Sequence, residues 1–331
     1  MMQSSNSKTD SVRTKIFKAI LYGDFTPGEK LPTERDMAER TGTSRVTVRR
    51  AYEQLEQSGI LKREQGRGTF VSSYVGGNSK PGDQIALLSS VSDPFALEFI
   101  KELEAKLTVE DMLLILRITD ESAEKEEQAA IELIGKGVNN LIIWPSGHEF
   151  AKGTFERLRV LGANMVFFDR MMPGSCADYL GLNNDDAMKQ LFATAASRKL
   201  SAPVFVTHSD LFADSDKMRL EAFLKQCEHY QVEGRVIELP QRGTVFSCPD
   251  IIGPESTVFC VNDAMAKKLE PFVDRDNLYG IDGLSDAKFV SCRQPMQDFA
   301  VAAVASLLNQ QKKGERWKAS QKFIKGELKN V

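Results

Sequence analysis

Histidine is scarce in this chain: His148, His208 and His229 are the only three in 331 residues, and none shows the spacing of a metal site. No Gly-x-Ser-x-Gly turn presents a nucleophile, and the paired carboxylates have no catalytic context. Catalysis is therefore not expected, and neither a metal nor a cofactor is. Cysteine is also sparse; Cys176, Cys227, Cys248, Cys260 and Cys292 are odd in number, scattered and free of C-x-x-C spacing, which fits reduced core residues better than disulfides or zinc ligands. No run approaches the roughly 18 apolar residues that a membrane span needs. Met1 to Asp10 is polar and lacks the apolar core of a secretory signal. A cytoplasmic protein without membrane contact is expected.

What is present is a charge asymmetry. Residues 1–73 hold 13 Lys/Arg against 9 Asp/Glu, a net of +4, which leaves −7 for the remainder of a chain whose total is −3. A small basic unit joined to a larger acidic one suits a nucleic-acid contact confined to one end, because the acidic part is repelled by phosphate. The length calls for two or more cores.

The basic unit has a readable order. Val12, Ile16, Ile20 and Leu21 recur at helical spacing between a polar start at Thr9 to Ser11 and Gly23, predicting a first helix. Thr33 with Asp36 three residues on predicts a capped second helix, closed by Gly42 in the left-handed conformation. Ser44 or Thr43 opens a third helix, whose Val48, Ala51, Tyr52 and Leu55 form a core face. That spacing leaves Arg45, Thr47, Arg49 and Arg50 outward. Ile60 to Glu64 and Thr69 to Val71 predict two short strands around Gln65-Gly-Arg-Gly, a glycine-tipped hairpin. Arginines on one helix face are usually a solvated surface. Here a capped helix and tight turn precede them and a hairpin follows, which describes a winged helix-turn-helix entering the major groove. The Gly-x-Gly of the hairpin is no nucleotide loop, since no helix follows it.

Leu31-Pro-Thr-Glu-Arg, Thr43-Ser-Arg-Val-Thr-Val-Arg, Gly59-Ile-Leu and Gly66-x-Gly-Thr-Phe-Val resemble, in order and spacing, the GntR family of bacterial transcription regulators over roughly residues 10 to 72. The resemblance implies DNA contact by Arg35, Ser44, Arg45, Thr47, Arg49 and the wing at Gly66, Arg67 and Gly68. Thr43 replaces a small apolar residue usual in that family.

Residues 73–83 continue a Gly-, Ser- and Pro-rich stretch without apolar periodicity and are expected to be a linker between 1–72 and 84–331. Beyond it, apolar runs alternate with amphipathic helical stretches. The runs are Ile85 to Leu88, Met112 to Ile118, Leu141 to Trp144, Met165 to Phe168, Val204 to Thr207, Val258 to Val261 and Leu278 to Ile281. Such alternation predicts βαβ units and parallel sheets, divided at this length into two lobes. Parallel sheets bind ligands beyond the carboxyl ends of their strands. Ser92-Asp93-Pro94-Phe95, Asp169-Arg170, Asn262-Asp263 and Asp282 all stand there. Each alone reads equally well as a helix cap or turn residue. Together they suit a polyhydroxylated ligand.

Gly137-Val-Asn-Asn-Leu-Ile-Ile-Trp-Pro, Val166-Phe-Phe-Asp-Arg, Arg219-Leu-Glu-Ala-Phe, Phe259-Cys-Val-Asn-Asp-Ala-Met-Ala, Tyr279-Gly-Ile-Asp-Gly and Arg293-Gln-Pro resemble landmarks of the LacI/GalR effector domain. The resemblance implies an α/β protein with a winged helix-turn-helix followed by a two-lobed, periplasmic-binding-protein-like (type I) domain with parallel sheets. It also implies an effector cleft lined by Asp93, Phe95, Asp169, Arg170, Arg219, Asn262 and Asp282. Ala222 replaces a customary glycine, Pro240 to Pro254 is short where a helix is usual, and no LacI-type hinge helix is patterned. The combination is similar to that of bacterial arabinose repressors, without fixing arabinose as the ligand.

The expected function is a homodimeric regulator, a repressor by resemblance, binding a pseudo-palindromic DNA operator under control of a small-molecule effector, a sugar by preference. A purine or other metabolite stays open, because Phe95 and Trp144 could stack on a sugar face or a base. An enzyme with a DNA-targeting head is the remaining alternative.

Overall fold

A computed structural model describes residues 3–72, 83–90, 94–146, 152–172, 174, 176–209, 214–239, 252–253 and 255–329. The expected linker, apart from Asp83, lies outside these residues, as do Asp93, His148, Cys248 and most of Pro240 to Pro254.

The head begins with α1 (Gln3–Leu21), longer at its start than the pattern from Thr9 predicts, followed by α2 (Glu34–Thr41) and α3 (Arg45–Gln57). Strands β1 (Leu61–Glu64) and β2 (Gly68–Val71) pair antiparallel, and Lys30 bridges Phe70 on the far side. Val48, Ala51, Tyr52 and Leu55 are buried against Val12, Ile16, Phe17 and Ile20 of α1, so the helical periodicity marks the core side of both helices.

The larger part forms two sheets. One runs in the order β13-β7-β6-β5-β3-β4 and is parallel throughout: β3 (Gln84–Ser89), β4 (Leu113–Ile118), β5 (Asn140–Ile143), β6 (Asn164–Phe168), β7 (Asp178–Leu182) and β13 (Gln321–Ile324). The other runs β14-β12-β11-β10-β8-β9: β8 (Val204–His208), β9 (Arg235–Leu239), β10 (Val258–Cys260), β11 (Leu278–Asp282), β12 (Val290–Arg293) and β14 (Glu327–Lys329), with only β14 antiparallel. Helices α4 (Pro94–Val109), α5 (Ala123–Gly135) and α6 (Lys152–Val160) belong to the first lobe, and α7 (Asn184–Ser197), α8 (Asp214–Tyr230) and α9 (Asp263–Leu269) to the second. The chain passes between lobes after β7, from β12 into α10 (Met296–Lys313), and from β13 to β14. Three short crossovers permit the lobes to pivot as units.

Alternate residues of β3 feed opposite layers, as its pleat requires: Ile85 and Leu87 join the cluster around Phe99 and Phe299, while Ala86 and Leu88 join α5, α6 and the head. The head therefore shares an apolar core with the first lobe. The Phe17 ring lies over Gly135, where an added Cβ would come within 3.3 Å of it, and Ser58 sits beside Gly137. Arg157 of α6 stands 5.5 Å from the Tyr22 ring. Fully burying a phenylalanine side chain such as Phe17 contributes roughly 1.5–3 kcal/mol.

Candidate nucleic-acid interface and effector cleft

In the head, local chemistry aims the basic side chains. Thr33 caps α2, its hydroxyl accepting from the Asp36 N–H (3.3 Å) and donating to the Asp36 carboxylate (2.7 Å). Gly42 closes the helix at φ 64°, a backbone that L-residues seldom adopt. Ser44 caps α3 by accepting from the Thr47 N–H (3.1 Å), and the two hydroxyls share a hydrogen bond of 2.8 Å. The Tyr52 hydroxyl donates to the Pro32 carbonyl, fixing α3 against the segment before α2. Arg45, Arg49 and Arg50 are exposed on the opposite side, and Thr47 is half-buried.

Arg49 is already braced. Its Nε donates to Glu34 at 3.0 Å, and that hydrogen bond, then the charge of Glu34, raises the guanidinium above its ordinary pKa. The terminal nitrogens remain for a base edge or phosphate. Arg35 is exposed, with Asp36 and Glu39 at 3.8 and 4.0 Å. At the wing, the Arg67 N–H donates to the Glu64 carbonyl and the guanidinium pairs with the Glu64 carboxylate. Gly66 and Gly68 have φ of 74° and 123°. A Cβ at Gly68 would meet Lys30 at 2.6 Å, which places a further exposed cation beside the wing. Sequence reasoning missed Lys30, distant in sequence from the wing, and Val46, which is 57% exposed on α3 next to Arg45. An apolar side chain there can meet a thymine methyl.

The cleft residues come from both lobes. Asp169 and Arg170 follow β6 in the first lobe; Arg219 lies on α8, Asn262 precedes α9 and Asp282 ends β11 in the second. Asp169 at φ 63° and Asp282 at φ 136° occupy backbone regions unusual for non-glycine residues, and such strain concentrates at functional sites. Arg219 is buried, 4% exposed. Its Nε donates to Asn184 Oδ1 (3.2 Å), one terminal nitrogen donates to the Val261 carbonyl (2.7 Å), and the other lies 3.7 Å from Asp282. Burial would lower its pKa, but Asp282, Asp169 and Asp216 outweigh that and hold it above the ordinary value. Burial pushes the Asp282 carboxyl up to about 7 against the pull of Arg219.

Arg170 spends one terminal nitrogen on the Pro145 and Ser146 carbonyls (2.9 and 2.6 Å). The Asn262 carbonyl oxygen accepts from the Met265 N–H (2.8 Å), capping α9. Phe95 is buried with its ring edge-on to Trp144 at 5.4 Å. Two further residues join the group: Asp216, one helical turn before Arg219, and Gln294, whose Nε2 donates to Asp282 at 3.0 Å. The spacing of Asp216 to Arg219 was a usable signal, since i and i+3 share a helix face. Gln294 had none beyond its place in a landmark tripeptide.

Comparison with known proteins bears on both parts. Residues 8–71 match the model described as "Bacterial regulatory proteins, gntR family". The head is a GntR-family DNA-binding domain. The chain is 30% identical over 152 residues to the arabinose metabolism transcriptional repressor of Geobacillus stearothermophilus, a match covering 44% of this chain and 40% of that protein. It is 22% identical over 288 residues to the probable HTH-type transcriptional regulator EndR of Paenibacillus polymyxa, covering 80% and 83%. The part after the GntR domain has the fold of periplasmic-binding-protein-like LacI regulators. A LacI-type regulator from Alkaliphilus metalliredigens, complexed with D-xylulofuranose, superposes with a TM-score of 0.59 at 15% identity over 75% of this chain and 98% of its own. The trehalose repressor of Escherichia coli superposes with 0.59 at 12% identity, over 74% and 99%. No helix among the described residues is long and apolar enough to cross a membrane.

Proposed function

We propose that this protein is a transcription regulator, a repressor, whose GntR domain binds an operator and whose two-lobed cleft takes a sugar that controls that binding. The outward arginines of α3 between a capped turn and a wing carry the DNA part. For the cleft, the observation that matters most is the convergence of Asp169 from one lobe with Arg219 and Asp282 from the other around a buried guanidinium. A purine finds less support, because the Phe95 and Trp144 rings stand at 71° and offer no parallel slot for a base. The match to known regulators supports this reading over an enzyme with a DNA-targeting head.

A homodimer is part of the reading. Strands β4 and β9 are the corresponding edges of the two sheets, and Leu113, Leu116, Ile118 and Val236 are exposed along them. Exposed apolar edges favour pairing with another chain. Two heads on a two-fold axis then require a pseudo-palindromic operator. Because the head shares a core with the first lobe, a ligand that draws the second lobe inward turns it against a unit made of head and first lobe. Ligand shifts that equilibrium only by its preference for the closed state, and DNA must change ligand affinity by the same factor.

The test is a thermal-shift screen of monosaccharides, sugar phosphates and nucleobases on the full chain, since a ligand of the folded state raises the melting temperature. Hits are then added to gel-shift assays on DNA selected from random sequence. A sugar that shifts melting and alters DNA affinity is expected; a response to nucleobases alone would replace the sugar reading.

A further inference from the structure

The wing holds most of its cations against carboxylates. On β1, Lys62 lies 3.6 Å from Glu64, and Arg63 lies 3.8 Å from Glu34 and 3.7 Å from Glu56. At the tip, the Arg67 guanidinium pairs with the same Glu64 and stands 5.6 Å from the Phe70 ring. A phosphate that drew Arg67 away would meet the charge of Glu64 directly. Lys30 is in a different condition. It is exposed and, among the described residues, has no ion pair.

Lys30 precedes α2 in sequence, yet the backbone lays it along the wing. The Gly28 N–H donates to the Val71 carbonyl (2.9 Å), the Val71 N–H to the Glu29 carbonyl (2.9 Å) and the Leu31 N–H to the Thr69 carbonyl (2.8 Å). Lys30 therefore bridges Phe70 on the edge of β2 that β1 leaves open, while Lys62 pairs with Phe70 from the other side. Side chains of paired neighbours share a face of the sheet, and Gly68, two residues before Phe70, lies on that face. The Lys30 side chain crosses it: a Cβ at Gly68 would come within 2.6 Å of its Cε and 3.4 Å of its Nζ. The ammonium thus ends one residue from the wing tip, over the glycine that has no side chain to displace it. A flexible stem carrying a compact charge suits a phosphate better than a base edge.

We propose that Lys30, and not Arg67, is the cation through which the wing binds the DNA backbone, its ammonium delivered to a phosphate across β2 and over Gly68. The inference rests on the operator-binding reading above and deepens it. A contact of this kind fixes how the head sits on the duplex and carries no sequence information. It gives Gly68 a second task besides the turn, as the floor beneath the lysine stem, and leaves Arg67 to hold the hairpin together through Glu64 and Phe70.

The experiment follows DNA binding of the full chain by gel shift, on duplexes selected from random sequence, across a range of about 50 to 200 mM salt. Lys30→Met keeps an apolar stem over Gly68 and removes the charge. The slope of log affinity against log salt should become shallower by about 0.9 for one bound head, the share of a single phosphate, with the ranking of DNA sequences unchanged. Lys30→Arg should keep the unaltered slope. Arg67→Gln combined with Glu64→Gln removes a neutral pair and should move the slope much less than Lys30→Met does. A purely structural Lys30 would lower the melting temperature in Lys30→Met without touching the slope, so each variant is also melted. An unchanged slope in Lys30→Met, a larger change in the double variant, or an altered sequence preference in Lys30→Met would overturn the inference and leave the DNA-binding regulator standing. If no duplex is selected at all, the operator reading fails and this inference with it.

Discussion

The two polar surfaces of this molecule keep their charges in different states. In the GntR domain, Arg35, Arg45, Arg50 and Arg67 are exposed, and Arg49, also exposed, is steadied by Glu34 through one nitrogen. In the cleft, Arg219 is buried and saturated, paired with Asp282 and within the field of Asp169 and Asp216. The first arrangement offers exposed cations to a polyanion arriving from water. The second presents fixed acceptors in a low-dielectric space to a small donor. Salt, pH and single substitutions should therefore act on the two sites through different physics.

Salt separates them most strongly. Six basic candidates, Lys30, Arg35, Arg45, Arg49, Arg50 and Arg67, face outward on the head, so the DNA affinity of one head should fall by a factor on the order of 10³ between 50 and 200 mM salt as counterions are released. Binding of a free sugar in the cleft should change little over the same range, since no net charge is transferred. Gel shifts and calorimetry at matched salt check both slopes. Arg49→Ala should remove a base or phosphate contact of about 1–3 kcal/mol and leave sugar binding intact; retained selective DNA binding would end its assignment to the recognition helix.

Arg219→Ala tests the opposite surface. Removing one partner of a buried ion pair strands the other, at a cost of about 3 kcal/mol. Asp282, already pushed up to about 7, can take a proton and limit the damage, so the loss in a denaturant melt should be smaller at pH 6 than at pH 8. Adding Asp282→Asn should recover stability but not the ligand response, while DNA affinity without ligand stays unchanged. Recovery of the response would show that the pair serves packing alone.

The contrast also explains what could be read from the chain. The head is built by neighbours in sequence: Thr33 and Ser44 cap their own helices, Gly42 ends one, and Val48 to Leu55 mark a face by spacing alone. The cleft and its scaffold are built by distant partners. The buried strand β7 starts with Asp178, a poor strand signal, whose carboxylate accepts from Ser306, Gln310, Trp317 and Ser320, all more than a hundred residues later. Return strands β13 and β14 are short and largely exposed, so they carry no apolar run. Asp216 and Gln294 gain meaning only when α8, β11 and the crossover before α10 meet. Asn262, expected at the ligand from its position after a strand, caps α9 through its side-chain oxygen, the other role that its position suggested.

Glu126 links the two regions through one helix. In the first turn of α5 it is 1% exposed, hydrogen-bonded to Ser146 and within the field of Arg170, while the last turn of the same helix lies under Phe17 of the head. Burial raises its pKa to about 7 from the ordinary 4.5, with Ser146 opposing. A carboxyl raised on folding contributes fully below its unfolded pKa, and that contribution is lost as pH climbs through the folded value. Glu126→Gln should therefore stabilise the chain above pH 7, by about 2–3 kcal/mol at pH 8, with the gain vanishing near pH 4.5. Chemical denaturation across that window measures it, and a gain independent of pH would place its cause outside this titration.

Ser44 gives the smallest effect and the finest division between folding and recognition. The family resemblance makes it a DNA contact, yet its hydroxyl accepts the Thr47 N–H and bonds the Thr47 hydroxyl. Ser44→Ala should cost about 1 kcal/mol of stability, as loss of an N-cap does, and should weaken DNA binding by tilting the first turn that carries Arg45. Ser44→Asp restores a good cap and complements the helix dipole, so stability should return. It also sets a negative charge where phosphate is expected, so DNA affinity should stay low. If Ser44→Asp binds DNA as well as the unaltered chain, the residue shapes α3 without touching the operator, and recognition belongs to the exposed arginines alone.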